Sequence, residues 1–290
     1  MFDTKSLNPI LSKNLSGNIS HFRNRDIKAY LFLPDNISDL ANLILKLQQN
    51  GDSFLPLGGG SNFLLGQVED TFLISDKALP RKLEICNREV IVSANFNINS
   101  LNHALLRYEL GGLSFLSGIP AHIGGLIKMN AGAHGRAFGE FVNWIKVIDN
   151  NGKFQLLKKA DLALGYRQSN ICGFVYEISL QLNQVDPIEE KEQILARIAQ
   201  RKKNQPLTYP NLGCFFKNPP GASAGRLIDQ AGLKGKKIGD ACVSNKHANF
   251  IINLGNATFG DTLKLIELIK STVYNKFKIN LENEIEVLGK

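Results

Sequence analysis

Two glycine-rich segments, each set between apolar runs, constrain this chain more than any other feature. The first is "LPLGGGSNFLL", in which residues 58–62 separate two short apolar stretches. Glycine has no Cβ, so backbone N–H groups can crowd onto an anion, and serine and asparagine add neutral donors. No helical pattern follows, so this is neither a GxGxxG nor a Gly-Lys-Ser/Thr phosphate loop. The segment predicts either a strand–loop–strand that binds pyrophosphate or a glycine-rich hairpin turn.

The second segment, "SGIPAHIGGLIKMNAGAHG" at residues 117–135, is longer and more apolar. We expect it to be a loop, and a long loop with exposed isoleucine, leucine and methionine is usually functional. Together the two segments predict a site for a long ligand with phosphates in its middle and flat apolar ends.

Composition narrows the class of protein. With 290 residues, 43% of them hydrophobic and 21% charged, the chain suits one large or two ordinary globular domains. No apolar run approaches the roughly 20 residues that span a bilayer, and residues 1–20 lack the apolar core of a secretory signal. We therefore expect a cytoplasmic protein.

The four cysteines form no CxxC pair, so we expect reduced thiols and no metal site.

The net charge of +8 suits anionic small ligands, an acidic membrane surface or nucleic acid. The one dense basic cluster, "ARIAQRKKNQP", lies at the end of a predicted helix. It is either a solvated helix end or a phosphate contact.

Periodicity predicts an α+β fold. Helices are predicted at residues 38–51 (capped by Ser38), 99–112, 223–232 and 258–277, and within residues 186–206, starting after Pro187. Hairpins are predicted at residues 82–96 and 144–157, and single strands at 27–34, 213–219, 249–254 and 284–289. The charged helix that follows Pro187 connects a larger part, up to about residue 185, to a smaller one.

Ordered motifs resemble those of the UDP-N-acetylenolpyruvoylglucosamine reductase family. They are "LGGGSNFLL", "SGIPAHIGGLIKMNAGAHG", "GYRQSNI", "GCFFKNP", "AGRLIDQAGLKG", "VSNKHANFIIN" and "LENEIEVLG". The short run between "GYRQSNI" and "GCFFKNP" is similar to the compact branch, which lacks an extra substrate-capping loop. The resemblance implies a two-lobed FAD-binding domain of the vanillyl-alcohol oxidase and p-cresol methylhydroxylase type, with lobes at residues 1–76 and 77–185. A helical connection (186–205) and a smaller α+β substrate-binding domain (206–290) follow.

The resemblance also implies an activity and its ligands. The expected reaction is NADPH-dependent reduction of UDP-N-acetylglucosamine enolpyruvate to UDP-N-acetylmuramate through FAD, a cytoplasmic step of peptidoglycan precursor synthesis. We expect a monomer with no nucleic-acid or membrane partner. The implied FAD contacts are Pro56, Leu57, Gly58, Gly59, Gly60, Ser61, Asn62, Ser117, Gly118, Ile119, Pro120, Ile123, Gly124, Gly125, Asn130, Ala131 and Gly132.

Two implied catalytic residues match family motifs. Arg167, in "GYRQS", is expected to bind the anion that develops on the substrate with its planar fork, although the local sequence alone favours a surface arginine near a strand end. Glu284, in "LENEIEV", assists a growing negative charge only if it is protonated or hydrogen-bonded. Because Glu282 and Glu286 share its spacing, it also fits one polar position of an alternating strand.

The third implied catalytic residue is Cys214, where the family usually has serine. We expect its thiol to be the proton donor, against the alternative of a small buried hydrophobe. The candidates for the substrate diphosphate and uridine are Lys217, Asn218 and the cluster 201–203, with Lys202 as the residue named from it. Lys217 is also consistent with a solvent-facing strand position.

The segment "SHFRNRDIKAY" departs from the family pattern T-F-R-x-G-G, so no FAD contact is assigned to residues 21–28. Two other functions remain open. One is a related FAD-dependent oxidase with a different substrate, and the other is a non-catalytic basic module that binds nucleotides or nucleic acid.

Overall fold

The computed structural model describes residues 19–290, with Asp70 by its backbone only, and the backbone of residues 10–12. The expectation that residues 1–20 hold no secretory signal falls mostly outside these residues. The helices are α1 (Ile37–Gln49), α2 (Ile98–Leu105), α3 (Ile123–Lys128), α4 (Pro187–Asn204), α5 (Ala224–Gln230) and α6 (Phe259–Phe277). Within the described residues, none of the helices has the length and apolar character that crossing a membrane requires.

The strands are mostly short. In chain order they are β1 (Ile10–Ser12), β2 (Lys28–Phe32), β3 (Ser53–Leu57), β4 (Phe63–Leu65), β5 (Gln67–Ser75), β6 (Leu83–Cys86), β7 (Glu89–Ser93), β8 (Leu110–Gly111), β9 (Gly132–Ala133), β10 (Arg136–Ala137), β11 (Val142–Ile148), β12 (Phe154–Lys158), β13 (Leu164–Gly165), β14 (Gln168–Ser169), β15 (Phe174–Gln181), β16 (Asn183–Gln184), β17 (Lys237–Ile238), β18 (Ala241–Val243), β19 (Ile251–Asn253) and β20 (Glu286–Leu288). The largest sheet is antiparallel, in the order β12-β11-β15-β7-β6, and a second sheet has the order β1-β2-β5-β3.

Packing divides the described residues into two units. The first comprises residues 31–59 and 70–200, and the second comprises 19–30, 60–69 and 201–290. The functional domains expected at residues 1–185 and 206–290, with the connection 186–205, stay a prediction.

The first unit is built around the largest sheet. Its core is formed by alternate residues of β7, β11 and β15 together with the apolar sides of α2 and α3. Ile145 lies opposite Ile178, which in turn lies opposite Val92, and all three are fully buried. Because side chains alternate across a strand, this register turns one apolar row toward the helices.

The second unit has a separate core around α6. Ile266, Ile269 and Val273 are buried along one side of the helix, against residues of β18 and β19. Thr258 caps the helix by accepting the amide of Asp261 at 3.0 Å. Residues 60–69 belong to this unit because β4 pairs in parallel with β20.

The α+β prediction is confirmed, and three details of it are wrong. Helix α1 is capped by Asn36, which accepts the amide of Asp39 at 2.8 Å, rather than by Ser38. Residues 117–135 do not form a continuous loop, because Ile123, Leu126 and Ile127 are buried at helical spacing and form α3. Residues 213–219 form no regular strand.

Candidate functional site

The first glycine segment is a loop, residues 58–62, that leaves its amides available. None of these five amides donates a hydrogen bond to another described residue. The carbonyls are used instead, since Gly60 accepts from His21 and Asn62 accepts from Glu286, both at 2.9 Å. The φ of Gly60 is 73°, and a Cβ there would lie 2.0 Å from the carbonyl oxygen of Ile19, so only glycine fits. A row of unengaged amides is suited to an anion.

Asn62 adds a second sign of an incomplete site. Its Nδ2 is buried and has no hydrogen-bond partner among the described residues. Buried side-chain donors are normally satisfied, so an unsatisfied one calls for an explanation such as a ligand. The glycine loop therefore fits the pyrophosphate expected there, and the loop is not a hairpin, since β3 and β4 pair with β5 and β20.

The two adjacent glycines of α3 have different surroundings. A Cβ at Gly124 would lie 3.0 Å from the Cβ of Ala94, and the Gly124 amide already donates to the carbonyl of Ala94 at 2.9 Å. A Cβ at Gly125 would meet nothing within 4 Å. Gly124 therefore packs the helix onto the end of β7, whereas Gly125 faces open space in which a ligand fits.

Two asparagines of α2 hold the turn before α3. Asn99 accepts the amide of Gly118 at 2.6 Å and donates to the carbonyl of Ile119 at 2.9 Å. Asn102 donates to the hydroxyl of Ser117 at 3.0 Å. Ser117, Gly118 and Ile119 are expected FAD contacts, and these polar groups of theirs are thus already hydrogen-bonded within the protein. The asparagines were missed as positioning residues, although their i, i+3 spacing on a predicted helix puts them on one side.

Asn130 and Arg167 both form side-chain hydrogen bonds to backbone groups of glycines. The Asn130 side chain donates to the carbonyl of Gly165 at 2.9 Å and accepts the amide of Gly139 at 3.0 Å. Arg167 donates from Nη2 to the carbonyl of Gly132 at 2.7 Å. Both Asn130 and Arg167 have positive φ, 39° and 55°. Arg167 is therefore a half-buried, anchored residue rather than a loose surface arginine.

His122, immediately before α3, forms a pair that the sequence did not reveal. Its Nδ1 lies 2.9 and 3.0 Å from the carboxylate oxygens of Asp76. The exposed fractions are only 12% for the histidine side chain and 6% for the aspartate. Since 46 residues separate the two in sequence, no local pattern could have indicated the pair.

In the second unit, residues 215–217 pair with residues 282–284. The Lys217 amide donates to the Glu282 carbonyl at 2.9 Å, and the Glu284 amide donates to the Phe215 carbonyl at 2.8 Å. This pairing brings together the two segments that carry Cys214 and Glu284, which are both half-buried. Asn249 bonds both the amide and the carbonyl of Phe216, at 3.0 and 2.8 Å, and takes the place of a neighbouring strand. That is why residues 213–219 form no regular strand.

The substrate candidates of this unit have protein partners. Lys217 Nζ lies 3.5 Å from the Glu282 carboxylate, and Asn218 accepts the amide of Ala224 at 3.0 Å. Lys202 is exposed, and its carbonyl accepts from Lys246. The neighbouring Arg201 is more sheltered: burial lowers the pKa of its guanidinium, and the charge of Cys214 in its thiolate form acts in the opposite direction. Arg201 belongs to the predicted cluster 201–203, from which Lys202 was the residue named as a substrate contact.

The atypical segment at residues 21–28 has structural partners. Asn24 donates to the carbonyl of Leu65 at 2.7 Å. The Asp26 carboxylate accepts the amide of Phe259 at 2.9 Å, at the first turn of α6. An acidic group at a helix N-terminus satisfies an amide that has no partner within the helix. This segment therefore stabilises the second unit.

Comparison with known proteins gives the family. The model for the UDP-N-acetylenolpyruvoylglucosamine reductase C-terminal domain matches residues 205–288, and an FAD binding domain matches residues 28–158. The chain is 38% identical over 264 residues to the UDP-N-acetylenolpyruvoylglucosamine reductase of Caldanaerobacter subterraneus, covering 89% of this chain and 87% of that protein. The chain belongs to the UDP-N-acetylenolpyruvoylglucosamine reductase family.

Other relatives of this reductase family agree. The protein of that name from Chloroherpeton thalassium is 38% identical over 271 residues, which are 88% of this chain and 86% of the relative. The crystal structure of UDP-N-acetylenolpyruvylglucosamine reductase (MurB) from Thermus caldophilus superposes with a TM-score of 0.79 at 31% identity, covering 95% of this chain and 97% of that one. The resemblance seen in the ordered motifs is thus confirmed, as is the two-domain α+β FAD-binding fold.

Membership of the reductase family, together with the FAD binding domain at residues 28–158, makes the chain an FAD oxidoreductase. Both glycine segments lie within that domain. In the first unit, the unengaged amides of Gly58 and Gly59 and the open space at Gly125 fit a bound dinucleotide. Cys214, Lys217, Asn218 and Glu284 lie within the residues that match the reductase C-terminal domain.

Proposed function

We propose that this chain reduces the enolpyruvyl double bond of UDP-N-acetylglucosamine enolpyruvate to give UDP-N-acetylmuramate, with NADPH as the reductant. The observation that carries the proposal is the presence of a reductase C-terminal domain, residues 205–288, in one chain with an FAD binding domain. We also propose a cytoplasmic location, a place in peptidoglycan precursor synthesis and a monomeric state. Bound FAD supplies the two-electron carrier between NADPH and the substrate.

The glycine loop and α3 are the proposed cofactor contacts. The amides of residues 58–62 offer neutral donors for the pyrophosphate, and Asn62 offers one more. Three asparagines act indirectly. Asn99 bonds the backbone of Gly118 and Ile119, and Asn102 bonds the hydroxyl of Ser117. Asn130 ties the second glycine segment to Gly139 and Gly165. Such support keeps the binding groups fixed before the ligand arrives.

The reaction builds up negative charge beside the substrate carboxylate, and the protein must stabilise it. Delivery of a hydride to the vinyl carbon remote from the carboxylate leaves negative charge on the α-carbon, delocalised into the carboxylate. We assign the stabilisation of this charge to Arg167, whose guanidinium is already fixed by its bond to Gly132. Preorganised donors of this kind need no rearrangement as the charge develops.

The α-carbon must then receive a proton, and we assign this step to the Cys214 thiol. The S–H bond breaks, a C–H bond forms, and the thiolate that remains interacts electrostatically with the Arg201 guanidinium. A neighbouring cation favours a thiolate, so it also makes the thiol a better acid. Glu284 assists as a protonated or hydrogen-bonded carboxyl group, and Lys217, Asn218 and Lys202 are the proposed contacts of the substrate diphosphate and uridine.

One anaerobic experiment tests this function. NADPH should bleach the flavin absorbance of the purified protein, and UDP-N-acetylglucosamine enolpyruvate should restore it with formation of one UDP-N-acetylmuramate per flavin. An oxidase would be bleached by its own substrate, and oxygen rather than the sugar nucleotide would restore the colour. A colourless protein that takes up no FAD and binds DNA with a steep salt dependence would contradict both enzyme functions.

A further inference from the structure

In the pair formed by His122 and Asp76, one ring nitrogen of the imidazole has no protein partner among the described residues. The carboxylate bonds only Nδ1 of the imidazole, and Nε2 has no hydrogen-bond partner among the described residues. Both side chains are largely buried, with exposed fractions of 12% and 6%. Nε2 is not among the buried side-chain atoms that lack a partner in the described residues, so it is open to solvent or to a ligand. A carboxylate behind one ring nitrogen fixes the orientation of the other.

The imidazole lies beside the start of the glycine loop. A Cβ built on Gly59 would lie 3.6 Å from Cδ2 of His122, the ring atom bonded to Nε2. A Cβ built on Gly58 would lie 3.6 Å from the His122 Cβ and 3.7 Å from the Asp76 carboxylate. The amides of Gly58 and Gly59 are among the five that donate to no described residue. Unengaged amides and an unengaged ring nitrogen are therefore neighbours in the first unit.

The backbone around His122 is held on both sides. His122 forms an isolated antiparallel bridge with Asn97, the Ala121 carbonyl accepts from Ile98 at 3.1 Å, and the Ile123 amide donates to Phe96 at 3.0 Å. The ring is thus positioned by its own backbone and by Asp76. A donor fixed in this way loses little conformational entropy when it binds a ligand.

We propose that Nε2 of His122 donates a hydrogen bond to the FAD pyrophosphate as an imidazolium, with Asp76 balancing the charge. The amides of the glycine loop are neutral donors, whereas a pyrophosphate diester is doubly negative. A charge-assisted bond is roughly twice as strong as a neutral one. A neutral imidazole bonded through Nδ1–H to Asp76 would instead direct a lone pair at the anion, which would repel it. His122 is therefore assigned as an affinity-determining residue of the cofactor site.

This proposal rests on the proposed placement of FAD at the glycine loop. The test uses apoprotein from which flavin has been removed, titrated with FAD and, separately, with riboflavin, which lacks the pyrophosphate. His122→Ala should weaken FAD binding by about tenfold or more, as expected for a lost bond to a charged group. Asp76→Asn should weaken it in the same direction. Riboflavin affinity should change by less than about twofold.

The matched control is His103→Ala, which removes an exposed histidine of α2 and should leave both affinities unchanged. If His122→Ala lowers the melting temperature of the apoprotein, His122→Gln, which keeps a neutral donor, replaces it and should bind FAD with intermediate affinity. Equal losses for FAD and riboflavin, or wild-type FAD affinity in every variant, would overturn the proposal. If Gly125→Val loses FAD while His122→Ala keeps it, only the role of His122 fails; if both keep it, the placement of FAD fails.

Discussion

The amide of Glu284 donates a 2.8 Å hydrogen bond to the carbonyl of Phe215, the residue that follows Cys214. With the bond from the Lys217 amide to the Glu282 carbonyl, this fixes the segment that carries the thiol against the segment that carries the carboxylate. Neither bond uses a catalytic side chain. Substitutions at Cys214 and Glu284 should therefore leave the backbone in place, and their effects can be attributed to chemistry.

The first prediction concerns Cys214 as the proton donor. Cys214→Ser should keep substantial turnover, since a hydroxyl can replace the thiol. Cys214→Ala should be reduced by NADPH at the wild-type rate but lose most of its reoxidation by substrate, because no proton reaches the α-carbon. Stopped-flow absorbance of the two half-reactions measures both. Wild-type turnover in Cys214→Ala would show that the thiol only packs.

The same assignment has a consequence for pH. Turnover of the wild type should fall at alkaline pH more than turnover of Cys214→Ser, because a thiolate has no proton to give and a serine hydroxyl stays protonated there. A pH–rate profile of each enzyme provides the comparison. Identical alkaline limbs would assign the decline to another group.

The second prediction concerns Arg201. Arg201→Gln should slow alkylation of Cys214 by iodoacetamide at neutral pH, because the neighbouring cation favours the thiolate. About a fivefold effect is expected for a partly solvated pair worth roughly 1 kcal/mol. Lys203→Gln, which removes an exposed charge two residues later, is the control. Since Cys86 and Cys172 are exposed, the rate should be followed on the Cys214 peptide by mass spectrometry. Equal rates in both variants would contradict the assignment.

Elements whose structure depends on residues close to them in sequence were predictable. Helix α6 was indicated by apolar residues at helical spacing, and Ile266, Ile269 and Val273 are indeed buried. Helix α1 was predicted with the wrong cap because Asn36 and Ser38 are both good capping residues and lie two positions apart. The glycine loop was recognisable because its conformation demands glycine locally.

Features that depend on distant residues were not predictable. His122 and Asp76 are 46 residues apart, and Asn249 and Phe216 are 33 apart. Their pairing is decided by packing of whole elements, and no periodicity records it. Helix α3 was missed for a different reason, since Gly124 and Gly125 lower helix propensity and conceal the buried spacing of Ile123, Leu126 and Ile127.

The third prediction concerns Arg167 and Glu284. Alanine at either position should leave flavin reduction by NADPH nearly intact and slow reoxidation by substrate. Loss of an interaction made mainly in the transition state lowers kcat. For one well-placed donor, the activation free energy rises by roughly 2.7–4 kcal/mol. Arg167→Lys keeps the charge but loses the fork that bonds the Gly132 carbonyl, so it should recover only part of the rate. Slower flavin reduction in these variants would mean that the residues serve cofactor binding.

The fourth prediction concerns stability and His247. Burial lowers the pKa of His247 below its ordinary value of 6.5, and the charge of Lys234 acts in the same direction. The unfolded chain therefore binds this proton at a higher pH than the folded chain does. Between the two pKa values the free energy of unfolding rises with pH, and it falls as pH drops below about 6.5.

His247→Gln should remove this contribution, so stability should fall less steeply as pH drops below about 6.5, with a change of at most roughly 1.4 kcal/mol per pH unit for one proton. Urea unfolding at several pH values measures the slope. His103→Gln, at an exposed position of α2, should keep the wild-type slope. A wild-type slope in His247→Gln would assign the acid sensitivity to other groups.

The last prediction uses the adjacent glycines of α3 and the first glycine loop. Gly59→Val, Gly124→Val and Gly125→Val should each yield protein without flavin, but for different reasons. Valine at Gly124 meets the Cβ of Ala94 at 3.0 Å, so it should also destabilise the apoprotein. Valine at Gly125 meets no protein atom within 4 Å, so it should leave the melting temperature of the apoprotein near that of the wild type or raise it, because glycine is a poor helix former.

Loss of FAD from a Gly125→Val protein of undiminished stability would mean that the added methyl groups occupy cofactor space. A folded Gly125→Val protein with one FAD per chain would place the cofactor elsewhere. The ratio of flavin to protein absorbance, measured beside apoprotein melting curves, separates these outcomes.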